Sequence, residues 1–135
     1  MTMTNVDIVR NAYEAFARGD VPAVLALMSE TIEWSEAEGH PYRPSGQPWI
    51  GPDAILKNLF VRIGEDWNSF TIHRKRTHDA GNIVVVEARY SGVYKKNGRL
   101  LDAQVCHVWE IVGGKLSKFQ QYVDTAELQK VMGAQ

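Results

Sequence analysis

The sequence predicts an α+β domain, with helices in the first half and an antiparallel sheet in the second. Three observations carry this. Apolar residues recur at spacings of three and four up to Ile63, β-branched and aromatic runs take over from Phe70, and those runs are divided by Asp79-Ala80-Gly81, Asn97-Gly98 and Gly113-Gly114. Helices first and a four-stranded meander after is a layout in which the helices cover one face of a curved sheet.

The elements follow in order. Val6, Val9, Ala12, Tyr13, Phe16 and Ala17 form the stripe of a first helix, with Thr4 or Asn5 available as its cap. Gly19-Asp20 ends it, and Asp20 with Pro22 starts a second helix carrying Val24, Leu25, Leu27 and Met28. Residues 31–35 read as a short strand. Residues 36–52 hold four prolines and three glycines, together with His40, Tyr42, Arg43 and Trp49. A loop of this length in a compact domain is usually a lid, a mouth or a partner contact. A third helix runs from about Asp53 to Glu65, with Ile55, Leu56, Leu59, Phe60 and Ile63 on its apolar side. Strands are expected at 68–78, 82–95, 100–112 and 115–124, and a short helix closes the chain from Thr125 to Met132.

Composition narrows the function classes. At 135 residues the chain has the length of one domain, 1–135. Fifteen basic residues against 16 acidic ones give no general attraction to nucleic acid or to an anionic membrane. The basic run His73-Arg74-Lys75-Arg76 alternates along a strand and divides between two faces. Cys106 is the only cysteine, which excludes an intrachain disulfide and a multi-cysteine zinc site. The histidines lack metal-ligand spacing, so neither metal nor cofactor is expected. No basic and apolar leader opens the sequence and no apolar run approaches a bilayer span, so the expectation is a cytoplasmic protein.

Register turns the strands into a site. A two-residue turn at Asn97-Gly98 sets Tyr90 opposite Val105 and Ala88 opposite His107. A two-residue turn at Gly113-Gly114 sets His107 opposite Gln120 and Val105 opposite Tyr122. Opposed residues share a face. One face then collects Val84, Val86, Ala88, Tyr90, His107, Trp109, Gln120, Tyr122 and Asp124, apolar at one end and polar toward Asp124, like the wall of a small-molecule pocket. The other face carries Glu87, Arg89, Cys106, Val108, Phe119, Gln121 and Val123. A one-residue difference in either connection would reverse a whole strand.

The Tyr13-x-x-Phe16 helix with Gly19-Asp20 and its Leu/Met-rich successor, Ile32-Glu33-Trp34, Gly51-Pro52-Asp53-Ala54-Ile55, and His107-x-Trp109 through Gly114-Lys115-Leu116 to Gln121-Tyr122-Val123-Asp124-Thr125-Ala126 resemble the SnoaL-like, ketosteroid-isomerase-related branch of the NTF2-like superfamily. The resemblance spans nearly the whole chain. It implies a cone-shaped barrel of three N-terminal helices on a strongly curved, mainly antiparallel sheet, a deep pocket, and a homodimer through the outer sheet face. In the polyketide cyclases of this group, an Asp on the last strand and a His on the preceding one act as acid–base groups, and Asp124 and His107 stand at the matching places. The Tyr, protonated Asp and Asp base of the steroid isomerases have no residue-by-residue match here. The Asp–Arg–Asp set of the epoxide hydrolases has none either.

The candidate catalytic residues are therefore Asp124, His107 and Tyr122. Trp34, Glu36, Tyr90, Trp109 and Gln120 are candidates for substrate contact, and the loop residues His40, Tyr42 and Arg43 are placed to close over a ligand. Each has a structural alternative. Asp124 opens Asp124-Thr125-Ala126-Glu127, a helix-capping pattern, and His107 fits a core histidine bonded to Tyr122 or Gln120. Two functions are consistent with the residues. One is a cofactor-independent isomerase, cyclase or dehydratase acting by proton transfer on a small hydrophobic carbonyl or hydroxyl compound. The other is a binding protein that holds a hydrophobic metabolite unchanged.

Overall fold

The computed structural model describes residues 3–133. Thr4 caps α1 (Asn5–Ala17) through a reciprocal box with Asp7, and Asp20 caps α2 (Val21–Ala26). Strand β1 (Met28–Ser35) leads into the 36–48 segment and the two-residue strand β2 (Trp49–Ile50). The third helical stretch runs continuously as α3 (Pro52–Ile55), a π turn (Leu56–Phe60) and α4 (Val61–Asp66). A π turn holds one residue more than an α turn, and here Leu59 and its neighbour Phe60 are both buried. Strands β3 (Trp67–Ala80), β4 (Ile83–Tyr94), β5 (Leu100–Val112) and β6 (Lys115–Val123) follow, and α5 (Thr125–Met132) closes the fold.

All six strands lie in one curved sheet in the order β2-β1-β6-β5-β4-β3. Every pairing is antiparallel except β1 with β6. The helices pack on the inner face, where Ile8, Val9, Ala12, Trp34, Ile55, Phe60, Val84, Val86, Trp109, Leu116 and Phe119 form one core cluster. A second cluster, around Trp67, Tyr90, Leu101 and Leu128, fills the other end.

The two hairpins depart from the expected register in different ways. Between β4 and β5 the turn holds four residues: Tyr94 N–H bonds to the Arg99 carbonyl, Gly98 N–H bonds back to the Tyr94 carbonyl, and Gly98 takes φ +71°. Tyr90 consequently faces Ala103, and Ala88 faces Val105. The offset is an even number of residues, so every side chain keeps its expected face.

Between β5 and β6 the Gly113-Gly114 turn is as expected, both glycines having positive φ and Val112 facing Lys115. One step further, a bulge intervenes. Ile111 pairs with Leu116 and Glu110 with Lys118, leaving Ser117 as the extra residue, its hydroxyl donating to the Glu110 carbonyl at 3.1 Å. Beyond the bulge all of β6 is reversed: Trp109 faces Phe119, His107 faces Gln121, and Cys106 faces Tyr122. Phe119 and Gln121 are buried inside, Val123 packs against the second core cluster, and Tyr122 is 60% exposed. Gln120 and Tyr122 therefore belong to the outer face, not to the pocket wall.

Asp124 also leaves the expected site. It is exposed, and its carboxylate accepts the Glu127 backbone N–H at 3.0 Å as the N-cap of α5. Asp124→Ala should lower stability by about 1 kcal/mol through loss of that cap while leaving ligand affinity unchanged; denaturant melts beside a binding titration check both halves.

Candidate functional site

A cavity lies between the helices and the inner face of the sheet. Its polar lining is Tyr13, Glu36, His40, Tyr42, Tyr90, His107 and Gln121, set among Phe16, Trp34, Phe60, Trp67, Phe70, Trp109 and Phe119. Its volume is about 60 Å³. An engineered cavity that takes benzene is roughly 150 Å³, so a ring-sized ligand must displace side chains or the covering segment.

Strand periodicity explains Glu36. Trp34 points inward, and two residues on the next inward position carries a carboxyl. Trp34 stacks on Phe119 with ring centroids 3.8 Å apart, and its indole N–H donates to Glu36 Oε2 at 3.2 Å. Glu36 is only 2% exposed. Burial raises its pKa to about 8 against the opposing pull of the Trp34 hydrogen bond.

His40 Nε2 stands 3.7 Å from Glu36 Oε1, too far for a direct hydrogen bond. His40 Nδ1 accepts the Tyr42 backbone N–H at 3.1 Å, which leaves its ring proton on Nε2. Protonating Nδ1 would break that bond in a buried place, and burial together with the Arg62 charge lowers the His40 pKa to about 4. The pair is therefore a neutral imidazole beside a carboxyl, not a fixed ion pair.

The segment carrying these groups is strapped down. The Tyr42 hydroxyl donates to Asp66 at 2.6 Å, the Arg62 guanidinium lies 4.0 Å over the Tyr42 ring, and Gln129 donates to the Gly39 carbonyl at 2.8 Å. Arg43 stays out of the cavity and turns back on its own loop, donating to the Gln47 and Pro48 carbonyls.

The rest of the polar lining is a chain of hydrogen bonds. Trp109 Nε1–H donates to Tyr13 Oη at 2.9 Å, and Tyr13 Oη lies 2.7 Å from His107 Nδ1. His107 Nε2 lies 2.6 Å from Tyr90 Oη, to which Gln121 Nε2 donates at 2.9 Å. The Gln121 side-chain oxygen Oε1 accepts the Ala37 backbone N–H at 3.3 Å, which joins this wall to the residue after Glu36. Burial lowers the His107 pKa to about 3 and raises those of both tyrosines.

The structure thus brings together Trp34, Glu36, Tyr90, His107 and Trp109 of the sequence-derived candidates. It separates Gln120, Tyr122 and Asp124 from them. The partners expected for His107, Tyr122 or Gln120, are replaced by Tyr13 and Tyr90. In the sequence Tyr13 reads only as part of a helix stripe, and unbroken alternation puts Gln121 and Phe119 on the outer face.

These groups give stability a distinctive pH dependence. Folded Glu36 keeps a proton that the unfolded chain releases above its ordinary 4.5, so its contribution is complete below that pH and is lost up to about 8. His40 and His107 act oppositely: the unfolded chain takes up protons below 6.5, so stability falls from there down to about 4 and about 3. From these three groups, thermal melts should show a maximum near pH 6.5. Glu36→Gln should remove the alkaline limb, its gain over the parent growing by about 1.4 kcal/mol per pH unit between pH 5 and 8.

Comparison with known proteins agrees with this architecture. The SnoaL-like domain matches residues 9–119. An NTF2-like protein from Burkholderia thailandensis superposes with a TM-score of 0.91 at 35% identity, covering 97% of this chain and 98% of that one. An NTF2-like protein of unknown function from Burkholderia pseudomallei gives 0.88 at 26% identity, covering 98% and 100%. A protein from Catenulispora acidiphila with a ketosteroid isomerase-like fold, in complex with trimethylamine, gives 0.79 at 17% identity, covering 97% and 95%. No curated protein matches significantly. Among the described residues, no helix is long and apolar enough to cross a membrane. With a family match over most of its length and the curved sheet and helices of its neighbours, the chain belongs to the SnoaL-like domain family, within the NTF2-like fold.

Proposed function

We propose that the cavity is the site of a cofactor-independent proton transfer on a small, mostly apolar carbonyl compound, with Glu36 as the acid–base group. The observation that carries this is a fully buried carboxyl on the cavity wall whose pKa lies near 8. A base poised there combines a usable ionised fraction with strong proton affinity. Glu36 takes the role expected of Asp124, and Tyr90 that expected of Tyr122.

The step is an enolisation. The Glu36 carboxylate removes a proton from the carbon beside the carbonyl, and the C–H electron pair moves toward the carbonyl oxygen. A hydrogen bond from Tyr90 stabilises the charge developing there. Glu36, now protonated, exchanges its proton with solvent in a fraction of turnovers and delivers a proton, or a deuteron in D₂O, to the same or a conjugated carbon. The aromatic rings hold the apolar body of the substrate and keep water from the intermediate.

Exchange of α-hydrogens for deuterium tests this without a known substrate. Ketones graded in size from acetone to cyclohex-2-enone, followed by proton NMR in D₂O, should exchange at a rate that rises with pH and levels off above about 8. Glu36→Gln should lower that rate by at least about 100-fold and keep the fold. Exchange that survives Glu36→Gln removes Glu36 from the chemistry. Ketones that bind without exchanging above background at any pH assign the cavity to holding a hydrophobic metabolite unchanged.

The same reading includes a homodimer through the outer sheet face. Cys106 and Val108 remain half-buried there and Tyr122 is exposed beside them, while Phe119 and Val123 have moved inside. Light scattering should give a dimer mass at micromolar concentration and a monomer mass for Tyr122→Glu; a monomeric parent protein removes this interface.

A further inference from the structure

We infer that the Tyr13–His107–Tyr90 chain is polarised in one direction, from the Arg74 guanidinium toward Glu36, so that Tyr90 keeps one free hydroxyl proton facing the cavity and the site takes ligands through an acceptor oxygen. His107 is then a positioning residue: by carrying its proton on Nε2 it keeps the Tyr90 proton turned outward. The inference rests on the pocket reading above and adds the kind of atom that docks at Tyr90.

Counting protons leads to it. Both ends of the chain are closed by fixed donors. Trp109 N–H occupies the Tyr13 oxygen. At the other end the Gln121 side-chain oxygen is committed to Ala37 N–H, so the Gln121 amide nitrogen must face the Tyr90 oxygen. Between these donors lie two hydrogen bonds, Tyr13–His107 and His107–Tyr90, and three protons: one on each phenol and one on the imidazole. A buried imidazolium is disfavoured, so the ring carries one proton. One hydroxyl proton is therefore always left over. Either Tyr13 donates to Nδ1, Nε2–H donates to Tyr90 and the Tyr90 proton is free, or the whole chain runs backward and the Tyr13 proton is free.

The two ends sit in opposite electrostatic surroundings. The Arg74 guanidinium lies 5.3 Å over the Tyr13 ring, where its charge favours proton donation by that phenol. Glu36 shares the cavity with Tyr90; its carboxyl stays neutral until the pH nears 8, and once ionised it holds the Tyr90 proton more tightly, so below that pH the Arg74 charge acts alone. The more acidic phenol donates and the more basic one accepts, so both influences select Tyr13→His107→Tyr90. Two N–H donors on the Tyr90 oxygen, His107 and Gln121, also polarise its O–H and strengthen it as a donor. A carbonyl, enolate or phenolate oxygen is the complement of that group; an ammonium cation is not.

Long-range proton–nitrogen NMR of the full chain with ¹⁵N-labelled histidine reads the tautomer of His107 directly. The expected result is the Nε2–H tautomer between pH 5 and 8. Arg74 is exposed, so Arg74→Glu leaves the fold intact and should populate the Nδ1–H tautomer measurably. Cyclopentanone, titrated as the oxygen probe, should bind about tenfold more weakly to Tyr90→Phe and lose less affinity in Tyr13→Phe, which keeps the Tyr90 hydroxyl, whereas tetramethylammonium should be insensitive to Tyr90→Phe. An Nδ1–H tautomer or an imidazolium in the parent protein overturns the inference, as does cyclopentanone binding that depends on Tyr13 and not on Tyr90. An unchanged tautomer in Arg74→Glu overturns the polarisation by Arg74. These outcomes are independent of the Glu36 exchange experiment: an Nε2–H tautomer without catalysed exchange leaves this inference standing and removes the catalytic reading, and the reverse pair of results does the opposite.

Discussion

The extra residue Ser117 decides what the cavity contains. A strand presents alternate residues to opposite faces, and one inserted residue exchanges the faces for the remainder of its length. Below the bulge, Leu116 faces the core; above it, Phe119 and Gln121 do. Phe119 supplies the ring on which Trp34 stacks, and Trp34 presents its indole N–H to Glu36. Gln121 reaches both Ala37 beside Glu36 and the Tyr90 hydroxyl. One bulge thus sets the aromatic floor and ties together the two polar walls. Unbroken alternation would instead turn Lys118 inward, burying an ammonium group among aromatic rings.

That arrangement carries an energetic cost placed at the site. A carboxyl kept at 2% exposure with one N–H donor in direct hydrogen-bonding reach destabilises the folded chain wherever the free carboxyl would be ionised. Asp124 is the contrast. It is exposed, its carboxylate is committed to a helix N-terminus, and the helix gains from it. A carboxyl that stabilises the fold and one that strains it are different signals, and only the second points to chemistry.

Much of this is legible in the sequence. The change from helical spacing to β-rich runs at Phe70 located the two halves, and glycine turns located the hairpins. Tyr90, His107 and Trp109 reached the correct face because the β4–β5 turn differs from the expected one by an even number of residues. The β5–β6 bulge is odd and leaves no mark in the turn itself. Its trace is the pair Lys118-Phe119, in which strict alternation from Leu116 sends the charge inside and the ring outside. Glu36 stands in the sequence as a candidate for substrate contact, but its full burial depends on the strap held by Tyr42, Asp66 and Gln129. Those contacts span up to 90 residues of sequence, beyond the reach of local pattern. Tyr13 needed the helix to be docked before its hydroxyl could be assigned to His107.

The aromatic lining acts on its titratable groups in opposite directions with one consequence. Burial penalises charge, so it raises the carboxyl of Glu36 to about 8 and lowers the imidazoles of His40 and His107 to about 4 and about 3. Near pH 6.5 all three are neutral. An apolar ligand can enter without stripping water from an ion, which would otherwise oppose its binding. Among these three groups only Glu36 has its transition within easy reach of neutral pH. The two histidines are held out of range by burial, with the Arg62 charge adding to the effect at His40. A pocket with several acid–base side chains is therefore reduced to one group that titrates near neutral pH, joined through Gln121 to the Tyr13–His107–Tyr90 chain. Separation of the proton acceptor from the oxygen-binding hydroxyl is what an enolisation requires, because the hydrogen leaves one atom while the charge accumulates on another.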